Sequence, residues 1–289
     1  MWFWYGLASA VVGAVSVVIN KRILKKVNAS VLTWALFTLQ IPFLTYLAVK
    51  DGLPNIGGIF WLGVGGSAVT FVVGKTLALS SIKQSVLSKV FPLMSLTTAY
   101  TYILGSVFLG ETIRLLPSVG LVLIVVGVYT LNAQGIKNSL LMPFKLLVTE
   151  RASRLYLLAT VAASMSAIFD KLALTSVSPE NPELVMLTEN VLMSVALLGF
   201  MVKSKKDWKV QVRDSFWMLL AASLVYMVMG ILVFSGFYGG PVVLVSGAKK
   251  LQVLFVLLLS WLFFGDKPSK FSWLGTVLML GGVVIIKLL

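Results

Sequence analysis

The chain has 289 residues, of which 58% are apolar and 12% charged, and its net charge is +14 at neutral pH. A soluble domain carries about 25% charged residues, and a globule of this size could not bury so much apolar surface, so the composition excludes a soluble protein. The absence of cysteine and histidine excludes disulfide frameworks, thiolate metal sites and most hydrolase and metalloenzyme mechanisms.

Ten apolar segments are long enough to cross a bilayer, which requires about 20 mostly apolar residues per helix. Their apolar runs are continuous rather than alternating, so helices are predicted and barrel strands are not. The predicted fold class is therefore an all-α polytopic membrane protein with ten transmembrane helices. In chain order the spans cover residues 3–20, 30–49, 57–80, 84–109, 115–133, 154–173, 182–202, 215–238, 240–264 and 271–288.

A linker at residues 136–153 separates two units of five spans each, 1–135 and 154–289. Its apolar residues lie beside basic ones, a pattern that suggests a short helix on the membrane surface. The residues that carry this pattern are Leu140, Leu141, Phe144, Lys145, Leu147 and Arg151.

The basic residues predict how the chain is oriented in the membrane. Of the 24 lysines and arginines, we place 16 in or beside loops 1–2, 3–4, 5–6, 7–8 and 9–10, four on the opposite side and four within spans. Because short basic loops stay in the cytoplasm, these five loops are predicted to be cytoplasmic, with both termini outside and the protein in the plasma membrane. The positive charge thus serves orientation, and no nucleic-acid partner is predicted.

The two halves of the chain share short motifs. Since each half has an odd number of spans, the second copy must be inverted, and inverted repeats are typical of secondary transporters. At an offset of 155 residues, Gly110-Glu111, Gly120 and Gly127 recur as Gly265-Asp266, Gly275 and Gly282, and at an offset of 150 Asn20-Lys21 recurs as Asp170-Lys171.

With Gly-Glu and Gly-Asp after the fourth span of each half, the chain resembles the drug/metabolite transporter superfamily with EamA-like repeats. Residues 246–266 are also similar to the ninth helix of its nucleotide-sugar and triose-phosphate branch, where a basic pair meets the substrate phosphate. The resemblance implies that helices 1–4 and 6–9 surround a central cavity, whereas helices 5 and 10 lie at the periphery, often at a dimer contact. A homodimer through helices 5 and 10 is therefore possible.

Lys249 and Lys250 lie near the middle of the ninth span, where a charge costs about 2.5–3.5 kcal/mol on insertion scales. We expect at least one of them to contact an anionic substrate. The alternative is that one pairs with Glu189 while the other faces a carbonyl group. Adjacent side chains on a helix diverge by about 100°, so the sequence leaves open whether both face one cavity.

Other polar residues within the spans have weaker signals. Glu189 and Asn190 could bind a substrate ammonium or couple transport to protons, and Glu189 could equally be a counter-ion for a lysine. Lys89, which precedes Pro92, could belong to a basic cavity or extend its side chain to the membrane interface. For Lys75 we favour the second interpretation, because a lysine side chain is long enough to reach the interface. Tyr102 and Tyr226 could orient a ligand. The equivalent pairs Asn20-Lys21 and Asp170-Lys171 act either as gates or as ordinary interface residues.

Four intramembrane lysines against one clear intramembrane acid favour an anionic solute. The sequence therefore predicts a secondary transporter that moves a small polar metabolite, preferentially an anionic one, by alternating access, with no catalytic residue, metal or cofactor. The alternatives are an exporter of amino acids or related zwitterions and, in another class, a non-transporting membrane receptor or assembly protein. No nucleotide-binding loop is present, so ATP is not the expected driver.

Overall fold

A computed structural model of the chain describes residues 1–84, 96–112, 114–132, 150–204, 207–264 and 270–287, and these residues are almost entirely helical. The predicted surface helix of the linker, Lys89 and Pro92 lie outside the described residues. The helices are α1 (Trp2–Ile23), α2 (Ala29–Thr38), α3 (Ile41–Val49), α4 (Phe60–Gln84), α5 (Leu96–Leu109), α6 (Leu115–Asn132), α7 (Arg151–Thr175), α8 (Pro182–Ser204), α9 (Trp208–Asp214), α10 (Phe216–Gly239), α11 (Val242–Lys249), α12 (Gln252–Phe264) and α13 (Lys270–Lys287).

Seven segments in the described part of the chain are long and apolar enough to cross a membrane. Three further apolar helices are shorter, Leu96–Leu109, Leu115–Thr130 and Trp273–Ile286. Each of the ten lies within or overlaps one predicted span. The multi-pass helical class is therefore confirmed, whereas membrane crossing by the three shorter helices remains a prediction.

Within the described residues, two predicted spans are interrupted. The second divides into α2 and α3, and Pro42 stands in the first turn of α3, where the missing N–H of proline costs no helical hydrogen bond. The ninth divides into α11 and α12, with Lys250 and Leu251 between them. Broken helices at membrane depth are tolerated where they line a cavity or are covered by protein.

Each end of the bundle joins the first half of the chain to the second. At one end, β1 (Asn55–Ile56) pairs antiparallel with β2 (Val177–Ser178). At the other end, the side-chain oxygen of Gln211 accepts a hydrogen bond of 2.8 Å from the backbone N–H of Asn28. The basic segments after α1 and around α9 therefore lie at the same end.

Glycines bring two helix pairs into close contact, as small residues do in membranes. A Cβ on Gly63 of α4 would lie 2.6 Å from the backbone nitrogen of Ala173 in α7. A Cβ on Gly120 of α6 would lie 2.6 Å from the carbonyl oxygen of Gly282 in α13. The repeated glycines Gly120 and Gly282 thus pack against each other within one chain.

Candidate functional site

A cavity of about 780 Å³ lies in the middle of the bundle, within the size range of sites for small ligands. Helices of both halves line it, from α1, α2, α4 and α5 to α7, α8, α10, α11 and α12. Most of the wall is apolar or aromatic. Its charged side chains are Asp170, Glu189, Lys249 and Lys250.

Both lysines of the ninth span line the cavity. They stand at the junction of two helices, because α11 ends at Lys249 and α12 begins only at Gln252. At this junction the N–H of Lys250 donates to the carbonyl of Gly247 at 3.0 Å, and that of Leu251 donates to Ala248 at 3.1 Å. Both lysine side chains therefore face one cavity, although neighbours on a continuous helix would point about 100° apart.

Asp170 of α7 reaches the same cavity and connects several helices. The hydroxyl of Ser67 on α4 donates a hydrogen bond to its carboxylate, and the hydroxyls of Ser67 and Ser166 lie 3.1 Å apart. The carboxyl group of Glu189 on α8 is within hydrogen-bonding reach of Asp170. Lys249 also acts on Asp170 electrostatically, so its acidic neighbour is Asp170, where the sequence suggested Glu189 as a partner for a lysine.

Two buried polar atoms that belong to the cavity wall have no hydrogen-bond partner among the described residues. They are Oε1 of Glu189 and Nδ2 of Asn190, on side chains that are 4% and 3% exposed. Buried polar groups are nearly always paired, and an unpaired one needs an explanation. A bound solute that presents both a donor and an acceptor would satisfy the two atoms.

The charge count made from the sequence changes in the structure. Lys75 is exposed on the outer surface of α4 and does not line the cavity. Asp170, for which the sequence left open a gate or an ordinary interface position, does line it. Among the described residues the cavity therefore holds two lysines and two carboxyl groups, and the interior is balanced rather than basic.

The two tyrosines have different positions. Tyr226 lines the cavity and its ring contacts Phe37 edge-on at a centroid distance of 5.5 Å. Tyr102 instead packs against an apolar cluster that includes Leu121 and Ile124, so it is not placed to orient a ligand in this cavity.

The equivalent pairs at the ends of α1 and α7 also differ. Asn20 donates a hydrogen bond of 3.4 Å to Ser16, and Lys21 is exposed. Lys171 reaches the end of α10, where its ammonium group donates to the carbonyl of Phe237 and, at 3.2 Å, to those of Tyr238 and Gly240. Asp170 and Lys171 therefore leave α7 in different directions and contact different groups.

Several cavity residues are not distinguished by the sequence. Hydroxyl and amide groups within apolar spans are common, and their orientation depends on packing between helices. Ser166 follows Ser16 by 150 residues, the offset that also relates Asn20-Lys21 to Asp170-Lys171; the other residues follow no such repeat. The missed polar residues of the wall are Ser67, Thr97, Thr98, Thr101, Ser166, Ser246 and Gln252.

Comparison with known proteins identifies the fold and the family. A solved structure described only as the crystal structure of a protein matches with a TM-score of 0.74 and 14% sequence identity, covering 99% of this chain and 96% of that one. No curated protein matches the chain significantly. The model of the EamA-like transporter family matches residues 1–133 and again 152–288. The predicted resemblance is thereby confirmed, and the chain belongs to the EamA-like transporter family, a family of membrane transporters.

Proposed function

We propose that this protein is a secondary transporter that moves a small polar metabolite through the central cavity by alternating access. In this proposal ten helices cross the membrane as two inverted repeats, 1–135 and 154–289. The cavity carries the argument. Ionisable groups are expensive inside a membrane and usually line substrate or ion pathways, and here four of them line a cavity whose wall is built by both halves of the chain.

We propose that Lys250 receives an anionic group of the solute. Lys249 has Asp170 as an acidic neighbour, whereas the charge that acts on Lys250 is that of Lys249. A carboxylate or phosphate would offset the charge of Lys250 and relieve the repulsion between the lysines. An ammonium is a compact point charge that suits such an anion. This favours an anionic metabolite.

A zwitterion is the second candidate, and Glu189 favours it. Its carboxyl group faces the same cavity and has one oxygen without a partner among the described residues. A solute with an ammonium group and a carboxylate could then use Glu189 and Lys250 together. Amino acids and related metabolites belong to this class.

Counterflow in liposomes tests the proposal. Liposomes that contain the purified protein are preloaded with an unlabelled organophosphate or amino acid. They should then accumulate the labelled form of whichever solute the protein transports. Lys250→Ala should raise the KM for that substrate at least about tenfold, since a hydrogen bond to a charged group contributes roughly 1.5–3 kcal/mol. Lys75→Ala is the matched control, because Lys75 lies within a span but outside the cavity.

Two outcomes would contradict the proposal. If Lys249→Ala and Lys250→Ala both leave the transport of every solute unchanged, the basic site is wrong. If a metabolite stabilises the protein in a thermal-shift screen but no solute of either class shows counterflow, a non-transporting receptor becomes the better interpretation.

A further inference from the structure

The junction between α10 and α11 is held by two charged side chains from elsewhere in the chain. Lys171 of α7 donates to the carbonyls of Phe237, Tyr238 and Gly240 at the carboxyl end of α10. The last carbonyls of a helix lack partners within it, and a cation is favourable there because of the helix dipole.

Glu111 caps the helix that follows. Both of its carboxylate oxygens accept the backbone N–H of Val242, at 2.9 and 3.1 Å, at the start of α11. The turn that aims Glu111 is built by two glycines. Gly110 has a φ of +64°, and the N–H of Glu111 donates to the carbonyl of Gly105 at 3.1 Å. A Cβ on Gly105 would stand 3.0 Å from the Glu111 carboxylate.

These contacts connect the two repeats. Glu111 belongs to the first, whereas Lys171, α10 and α11 belong to the second, and the charges of Glu111 and Lys171 attract each other. The helix capped by Glu111 spans eight residues, or about 12 Å. Lys249 lies at its opposite end, in the cavity. Val242 at the latch and Lys249 in the cavity thus stand at opposite ends of one short helix.

We propose that Glu111 and Lys171 form a latch that keeps one mouth of the cavity closed, and that opening this mouth requires Glu111 to release the start of α11. The inference rests on the proposed alternating access. A purely structural cap is the competing explanation, and it predicts lower stability without a change in access to the cavity.

The energetics suit a contact that can be released. Burial raises the pKa of Glu111 above its ordinary value, although the N–H groups of Val242 and Val243 and the charge of Lys171 act in the opposite direction. Because burial is the larger effect, the carboxylate is held at some electrostatic cost. When the latch opens, solvation of the released carboxylate therefore offsets part of the free energy lost with its hydrogen bonds.

Access to the cavity can be measured with one introduced cysteine, because the chain has none. Val253→Cys places a thiol in the cavity wall. A membrane-impermeant methanethiosulfonate is added to either side of oriented proteoliposomes. Glu111→Ala should speed labelling from the latch side about tenfold, because the helix cap and its charge-assisted hydrogen bonds are lost. Labelling from the other side should slow.

Lys50 and Asp51 provide the matched controls. They form an exposed ion pair of 3.7 Å near the same end of the bundle, outside the latch. Asp51→Ala and Lys50→Ala should leave both labelling rates unchanged, whereas Lys171→Met should act in the same direction as Glu111→Ala. If Glu111→Ala does not fold, Glu111→Asp, which keeps the charge on a shorter side chain, should give a smaller increase from the latch side.

The outcomes separate the latch from the transport proposal. If thermally stable latch variants label at the wild-type rate, or faster from both sides equally, the latch is wrong while transport stands. If Val253→Cys reacts from neither side in the wild type and in every latch variant, no mouth opens, and alternating access fails together with the latch.

Discussion

Asp170 and Lys171 are adjacent in the chain, yet they serve different regions. Asp170 enters the cavity and meets Ser67 and Glu189, while Lys171 reaches the end of α10. The sequence predicts a polar pair at this position, because its counterpart Asn20-Lys21 recurs. It does not predict the division of the pair, because that depends on which helices stand on each side of α7.

Glu189 is the residue that discriminates between the two substrate classes. If the solute is a zwitterion, Glu189→Gln should raise its KM about tenfold or more while binding of a simple anion changes little, since only the former loses a charge-assisted hydrogen bond. Counterflow competition with amino acids and organophosphates would measure this. Glu183→Gln, in the first turn of the same helix, is the control. An equal effect on both solutes would contradict an ammonium site at Glu189.

The protonation of Glu111 should make the latch pH-dependent. Burial raises its pKa, so the latched state binds a proton more tightly than a released state in which the carboxyl group is solvated. The resulting stabilisation is complete below the ordinary pKa of about 4.3 and is lost as the pH rises through the raised pKa. Labelling of Val253→Cys from the latch side should therefore slow as the pH falls. Glu111→Gln should remove this dependence, and an unchanged pH profile would contradict it.

At the scale of elements, the pair α6–α13 depends on close packing of glycine. A Cβ on Gly282 would collide with the carbonyl oxygen of Gly120, whereas a Cβ on Gly281 meets nothing within 4 Å. Gly282→Ala should destabilise the protein by about 1–3 kcal/mol through overpacking. Gly281→Ala should be neutral or slightly stabilising, because alanine favours the helix. Thermal unfolding in detergent compares the two, and equal midpoints would show that α6 and α13 do not pack as described.

The same packing bears on the predicted homodimer. The repeated glycines of the fifth and tenth spans are used within one chain, so a dimer through these spans would need their outer surfaces. Those surfaces are aliphatic and exposed in this structure, at Val119, Val122, Val126, Val277 and Val284. A dimer through helices 5 and 10 remains a prediction that mass measurement in detergent or nanodiscs can test.

At the scale of the whole molecule, the proposed inverted arrangement predicts the side on which each loop lies. Because the segment after α1 contacts α9, Lys25→Cys and Lys209→Cys should react with an impermeant maleimide from the same side, which the charge distribution predicts to be cytoplasmic. Asp51→Cys, at the opposite end, should react only from outside. Labelling of Lys25→Cys and Lys209→Cys from opposite sides would exclude the proposed topology.

Composition and hydropathy alone determined that the chain is a helical, multi-pass membrane protein. The reason is that the cost of placing a charge or an unpaired backbone group in lipid depends on local sequence. The family resemblance came from short motifs that stay close together in the chain, and it was confirmed. Seven of the predicted spans also correspond to segments long enough to cross a membrane.

Only the tertiary structure decided which charges share the cavity. Asp170 joins Glu189 because α7 and α8 meet beside α4, and Glu111 caps Val242 across a separation of 131 residues. The division of the ninth span at Lys250 likewise depends on what surrounds it. These features arise from contacts between distant segments, whose energies a periodic pattern along one helix does not contain. For the same reason, the balance of charge in the cavity became visible only once the helices were assembled.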